Sequence, residues 1–173
     1  MRSSESERLK PLAWPVYLVA VLLVVVPMTD TVLALVPMRF GDVTWRFGAL
    51  GMGSQAVMTP LLGTLLILVT AAALGHRTAL RVVQVLAYLA AALFVAASIL
   101  FALDALQTRT SIQKAAKAGF DRASAVALVK YGLAFLSAVV FALTSQRLIR
   151  RAKAESAAEA EQPQLVSSSR AGS

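Results

Sequence analysis

The chain has no cysteine, a single histidine and only nine acidic residues among its 173, and each shortage removes a class of chemistry. Without thiols there is no disulfide framework, no thiolate metal site and no thiol redox couple. With His76 as its one imidazole, a bis-histidine haem is excluded, and Met58 would stand about 27 Å away along the same helix. The sequence contains no G-x-x-x-x-G-K, H-E-x-x-H or G-x-S-x-G pattern, and no nucleophile, base and orienting group can be assembled from what remains. No catalytic, cofactor-binding or metal-ligating residue is therefore assigned. Charge is also scarce: 15% of residues are charged against 58% hydrophobic, and the mean hydropathy of +0.70 belongs to a chain solvated by lipid. The net charge of +8 does not imply nucleic acid, because the cations gather at the edges of apolar runs, where they meet lipid headgroups.

What the chain has in abundance is long runs of Ala, Leu and Val. Four stretches, 11–28, 48–74, 79–104 and 124–147, approach or exceed the roughly 20 helical residues that cross a bilayer core. Unpaired backbone is not tolerated in hydrocarbon, so these are read as helices and not strands. The predicted fold is all-α: an integral membrane four-helix bundle, up and down, in a multi-pass protein of a bacterial inner membrane. A tail at 1–10 precedes the membrane domain at 11–150. Residues 151–173, Ala/Glu-rich and then Ser-rich around Pro163, read as a disordered tail. The first run lacks a small-x-small cleavage site near Pro27 and is read as a retained span.

The connections carry their own expectations. Pro27 should end or kink span one, and Val32–Val36, bracketed by Pro27 and Pro37, should lie along the interface. Residues 105–123 place Leu106, Ile112, Ala116, Phe120 and Ala123 at helical spacing, an amphipathic ramp interrupted at Gly119. Pro60 removes the hydrogen bond to the Ala56 carbonyl and predicts a kink in span two. His76, just past that span, is expected to cap its C-terminus. Small residues at four-residue spacing mark packing faces: Ala49 with Gly53, Ala92 with Ala96, and Ala134 with Ala138 and Ala142.

Between spans one and two, Arg-Phe-Gly occurs twice, at 39–41 and 46–48, with Asp42 and Trp45 between the copies. Aromatic rings and arginines together suit the headgroup region, so the stretch reads as an interfacial anchor. Its alternative is a site for a lipid headgroup, a lipid carrier or a partner protein. The candidate binding set is Asp30, Arg39, Asp42, Trp45, Arg46, Asp104 and Lys130. Asp104 and Lys130 are near enough to the same end of their spans to pair, although a solvated Asp104 and a snorkelling Lys130 are the simpler expectation. The middle of every span is free of charge.

The order Asp30, Leu33, Pro37, Trp45-Arg46 and Pro60-Leu61-Leu62-Gly63 resembles the first half of HpsJ-like membrane proteins, which accompany exopolysaccharide and exosortase systems in cyanobacteria. The resemblance covers roughly residues 20 to 70 and implies an accessory role in a surface-polysaccharide or sorting assembly, with no catalytic residue. Two functions follow as expectations. One is a non-catalytic accessory or scaffold subunit that contacts lipids and other membrane proteins through its small-residue faces and outer loops. The other is a small carrier or lipid-handling protein whose Asp30, Arg39, Asp42, Arg46, Asp104 and Lys130 form a polar vestibule.

Orientation follows from the cations. With the N-terminus inside, nine Lys and Arg lie near the cytoplasmic helix ends and seven near the other side, and "RLIRRAK" at 147–153 abuts span four, where the positive-inside bias acts most strongly. Both termini are expected in the cytoplasm. A tag fused after Ser173 should resist protease added outside intact spheroplasts and be cut only after lysis; cleavage before lysis would invert the topology.

Overall fold

The computed structural model describes residues 2–170, with side chains at Pro11 and from Ala13 to Ala154; Met1 and residues 171–173 lie outside the described residues. The described chain contains helices and no strand: α1 (Arg2–Ala34), α2 (Val43–Ala56), α3 (Met58–Leu74), α4 (Arg77–Ser111) and α5 (Lys117–Arg170), with one 3-10 turn at Lys114–Ala116. Three helices, α1, α4 and α5, are long and apolar enough to cross a membrane, and α2 with α3 makes a fourth span if the bent pair is counted as one. The two ends of the assembly differ. One carries the 35–42 and 112–116 connections and is called the loop end. The other carries the 75–76 turn and the approaches to both termini and is called the tail end.

The elements run past the boundaries read from sequence, for reasons that lie in the backbone. Helix α1 does not stop at Pro27 but continues to Ala34, so Val32–Ala34 form its last turn. The Thr31 hydroxyl donates to the Pro27 carbonyl at 2.7 Å, while the carbonyl that Pro27 leaves without its helical donor is that of Leu23. Span two begins at Val43, not 48, and breaks at Val57, where α2 and α3 meet at 41°. Pro60 has no N–H for the Ala56 carbonyl, which accounts for the bend at the expected place. Helix α4 extends to Ser111, the turn shrinks to 112–116, and Gly119 sits inside α5 without breaking it. The amphipathic ramp is thus absorbed into two longer helices. The backbone is also helical at 2–10 and 151–170, where tails were expected, because adding residues to a formed helix avoids the cost of nucleation and the Ala/Glu run has high helix propensity.

At the tail end Gly75 closes α3 in the left-handed region, φ +67°, and the His76 N–H reaches back to the Ala71 carbonyl at 2.9 Å. This is a C-terminal cap that glycine makes without steric cost. The His76 side chain does not cap the helix. Its Nδ1 hydrogen-bonds the Tyr17 hydroxyl at 3.0 Å, and its backbone begins α4.

Packing centres on α4 and α5. On α5 the buried positions are Ser124, Ala127, Tyr131, Ala134, Ala138, Ala142 and Ser145, spaced three or four apart, the spacing of a coiled-coil seam. Facing them, α4 buries Leu80, Val83, Ala87, Ala91, Phe101, Asp104 and Ala105. The small-residue face of α5 is the expected one; that of α4 is Ala87 and Ala91, while Ala92 and Ala96 are exposed. One apolar cluster at each end, Leu68, Ala71, Leu80 and Val83 near the tails and Phe101, Ala127 and Tyr131 near the loops, brackets the alanine seam. Helix α1 packs on α3 and, to a smaller extent, on α2, and its backbone approaches neither α4 nor α5 among the described residues, so it is a lateral addition and not an equal member of a four-helix core. It comes close to α3 at Gly63, where a Cβ would lie 2.6 Å from the Ala20 carbonyl oxygen.

Overpacking the seam should therefore cost more than the same change outside it. Ala138→Leu, at a position 1% exposed, is expected to destabilise the protein by about 1–3 kcal/mol, while Ala92→Leu leaves it unchanged. Thermal unfolding in detergent micelles compares the two.

Candidate functional site

The polar residues of the loop end are positioned by the first turn of α2. The Asp42 carboxylate accepts hydrogen bonds from the backbone N–H groups of Thr44, at 2.8 Å, and Trp45, at 3.2 Å, satisfying donors that a helix N-terminus leaves unpaired. With the helix started there, Arg46 and Phe47 turn toward α4.

Arg46 meets Asp104 as a fork. Its Nε donates to Asp104 Oδ2 at 3.1 Å and its Nη2 to Oδ1 at 2.8 Å, while Nη1 donates to the Phe40 carbonyl at 2.8 Å. Asp104 is buried, at 3% exposure, and the Arg46 side chain keeps 32% of its surface accessible. The sequence reading leaves Asp104 solvated or beside Lys130, and the structure does neither. Asp104 lies on the inward face of α4, three residues after buried Phe101, where an unpaired carboxylate would be too costly to keep. Lys130 instead donates to the Gln55 side-chain carbonyl.

Rings close the space around this pair. Phe47 stacks on Phe101 with centroids 4.9 Å apart and on Phe120 at 5.1 Å. Tyr131, 3% exposed, donates its hydroxyl proton to the Leu50 carbonyl at 2.5 Å, and its ring leans against Phe94 and Phe101. Trp45 meets Phe40 edge to face at 5.4 Å. Nearer the 112–116 turn, Arg109 binds Asp121 through two bonds of 2.8 Å, both side chains remaining about half exposed.

Of the seven residues singled out from sequence, Arg46 and Asp104 are brought into direct contact. Asp42 caps the helix that carries Arg46, and Trp45 sits beside it against Phe40. Lys130 bonds elsewhere, and Asp30 and Arg39 are exposed and stand outside the network. The two Arg-Phe-Gly copies are therefore not equivalent: the first faces outward and the second enters the protein. Sequence reasoning missed Phe47, Phe101, Phe120 and Tyr131 as the walls, and Arg109 with Asp121 as a second pair. One signal was present for Asp104, which falls in register with Leu80, Val83, Ala87, Ala91 and Phe101 along the buried stripe of α4 and so requires a cation from another helix. Among the described residues no three His, Asp or Glu side chains come together as metal ligands.

The site's chemistry is that of a clasp. Both carboxylate oxygens of Asp104 and three guanidinium nitrogens of Arg46 are engaged within the chain, and α2 is tied to α4 at the level where the Phe47 stack begins. No family model matches this sequence, and neither curated proteins nor solved structures match it.

The two halves of the clasp should respond unequally to mutation. Arg46→Met leaves a buried unpaired carboxylate and is expected to cost about 3–5 kcal/mol. Asp104→Leu should cost less, since the Arg46 guanidinium can snorkel outward and keep its bond to Phe40. The double change Arg46→Met with Asp104→Leu should recover much of the loss seen with Arg46→Met alone. Thermal unfolding of the four proteins in detergent measures the order, and equal single-mutant costs with no recovery would show that the pair is not coupled.

Proposed function

We propose that this protein is a non-catalytic, membrane-embedded accessory subunit that seats partner membrane proteins. The reading is carried by the clasp: Arg46 and Asp104, the most promising chemical groups in the chain, bond each other in bidentate fashion instead of facing a cavity. The placement of the other charged groups supports it. Asp42 is used as a helix cap and Lys130 by Gln55, so the six-residue vestibule required by the carrier alternative is not assembled. What the protein presents outward is apolar helix surface. Helix α1 rests on α3 by one side, and the opposite side exposes Leu18, Leu22 and Leu33, a ridge available to another span.

In this reading the protein sits in a bacterial inner membrane with both termini in the cytoplasm, as the cation distribution suggests. The likeness of residues 20–70 to HpsJ-like proteins directs the search for partners to surface-polysaccharide export or sorting machinery. The exposed Asp30 and Arg39, with the 35–42 connection, would add an extracytoplasmic contact.

Photocrosslinking residues placed singly at Leu18, Leu22 and Leu33 test this in intact cells at native expression. A different polypeptide should be captured from at least one position and should co-elute with the unmodified protein in mild detergent. The clasp double variant should keep that partner. Capture of nothing but lipid from all three positions, or solute flux by the purified protein in vesicles that the double variant abolishes, would replace the scaffold with the carrier.

A further inference from the structure

The stretch of α5 from Ala123 to Gln146 carries one charge, Lys130. Arg122 is eight residues before it and Arg147 seventeen after, so the lysine enters the apolar run by about 12 Å and stands about 7 Å from its midpoint. That is well inside a hydrocarbon core about 30 Å thick. Gln55 is its counterpart on α2, nine residues or about 14 Å past Arg46, the last charge of that helix. The Lys130 amine donates to the Gln55 side-chain carbonyl, a neighbour at the same depth, instead of rising to the headgroups. Asp104 and Asp121 are taken by Arg46 and Arg109, and Lys130 has no carboxylate partner among the described residues. The continuous run of described side chains begins at Ala13 and ends at Ala154, both at the tail end, and Ala154 is about 36 Å from Lys130 along α5.

The pair is rich in unused donors. An ammonium has three N–H groups and a primary amide two; one ammonium N–H goes to Gln55, and no hydrogen bond among the described residues uses the rest. Gln55 is exposed and Lys130 partly so, so these donors open on the outer edge of the α2–α5 seam. Helical spacing puts Gly48 and Gly51 on the same face of α2 as Gln55, and Val126 and Leu133 beside Lys130 on α5. A Cβ at Gly48 or Gly51 would meet nothing within 4 Å, so another helix can approach the α2 backbone closely there.

We infer that this edge seats a membrane span of a different polypeptide, and that the span carries an Asp or Glu whose carboxylate pairs with Lys130 and accepts from the Gln55 amide. The inference rests on the accessory-subunit reading and adds the chemistry of one partner. Charge selects the carboxylate, because an ionised group in hydrocarbon is kept by pairing and Gln55 offers Lys130 only a neutral oxygen. Depth selects a span over a lipid: phosphates lie outside the core, whereas a crossing helix can place a side chain at any level of it. Among the described residues a second copy of this chain has no fitting acid. Asp104 is buried against Arg46, Asp42 precedes the first residue of α2, and Asp30 and Asp121 each lie four residues from the loop end of their helix.

Val126, exposed and one turn from Lys130, provides the readout. The full-length protein with a photocrosslinking residue at Val126 is reconstituted into phosphatidylcholine vesicles with a biotinylated polyleucine span that bears Asp, Asn or Leu one third of the way along. The Asp probe is expected to be captured several-fold more than the Asn and Leu probes. Lys130→Gln removes the charge but can still bond the Gln55 amide, and it should bring Asp capture down to the Leu level, while Lys130→Arg should retain the preference. Equal capture of the three probes by the unsubstituted Lys130 protein overturns the proposal. So does an Asp preference that survives Lys130→Gln, which would assign the carboxylate to another cation, or crosslinking of Val126 to a second copy of the chain that the Asp probe does not displace. If Leu18, Leu22 or Leu33 still captures a partner in cells while the Asp probe shows no preference, the accessory reading stands and this seat alone falls.

Discussion

In hydrocarbon a polar group has only its own chain to bond, and the architecture can be followed from that constraint. Thr31 returns its hydroxyl to the Pro27 carbonyl, and Thr64 does the same at Pro60. Ser54, Ser98 and Ser137 likewise donate to carbonyls three or four residues back, which keeps hydroxyls out of the apolar medium and on the helix that bears them. The same demand, applied to a full charge, brings Arg46 of α2 onto Asp104 of α4. A hydroxyl can be satisfied locally, whereas a buried carboxylate needs a donor with a long reach, and so the charged pair is what fixes one helix against another.

Close approach supplies the rest of the cohesion. Water does not drive apolar association between helices inside a bilayer, so contact depends on how near backbones can come. Alanines at 134, 138 and 142 meet the face of α4 that carries Ala87 and Ala91, and Gly63 admits α1 onto α3. At the loop end, where wider side chains are needed to fill the splay, Phe47, Phe101, Phe120 and Tyr131 replace the small residues.

Solvent, helix content and the number of apolar runs were legible in the sequence, since composition and run length depend on no tertiary contact. The bend near Pro60 was legible for the same reason, being a property of one ring and one missing N–H. Helix ends were not, because Pro27 and Gly119 lie inside helices, and whether a proline or glycine ends a helix depends on the packing around it, which composition alone does not reveal. Asp104 was recognised as a candidate but given the wrong surroundings. Its burial depends on which face of α4 turns inward, and Ala92 with Ala96 suggested a different face from the one the structure uses. Arg109 and Asp121 were passed over because the turn between them looked longer than it is.

The 41° elbow at Val57 has a mechanical consequence. Above it, α2 is fastened to α4 by the clasp; below it, α3 is fastened to α1 at Gly63. The α2–α3 pair thus has two separate moorings on either side of a joint that lacks a backbone bond. Helices α4 and α5 each run as one continuous helix, while this pair is interrupted. The bend therefore sets two separately anchored segments at an angle, so a change that frees either mooring would leave the other half of the pair attached to a different helix.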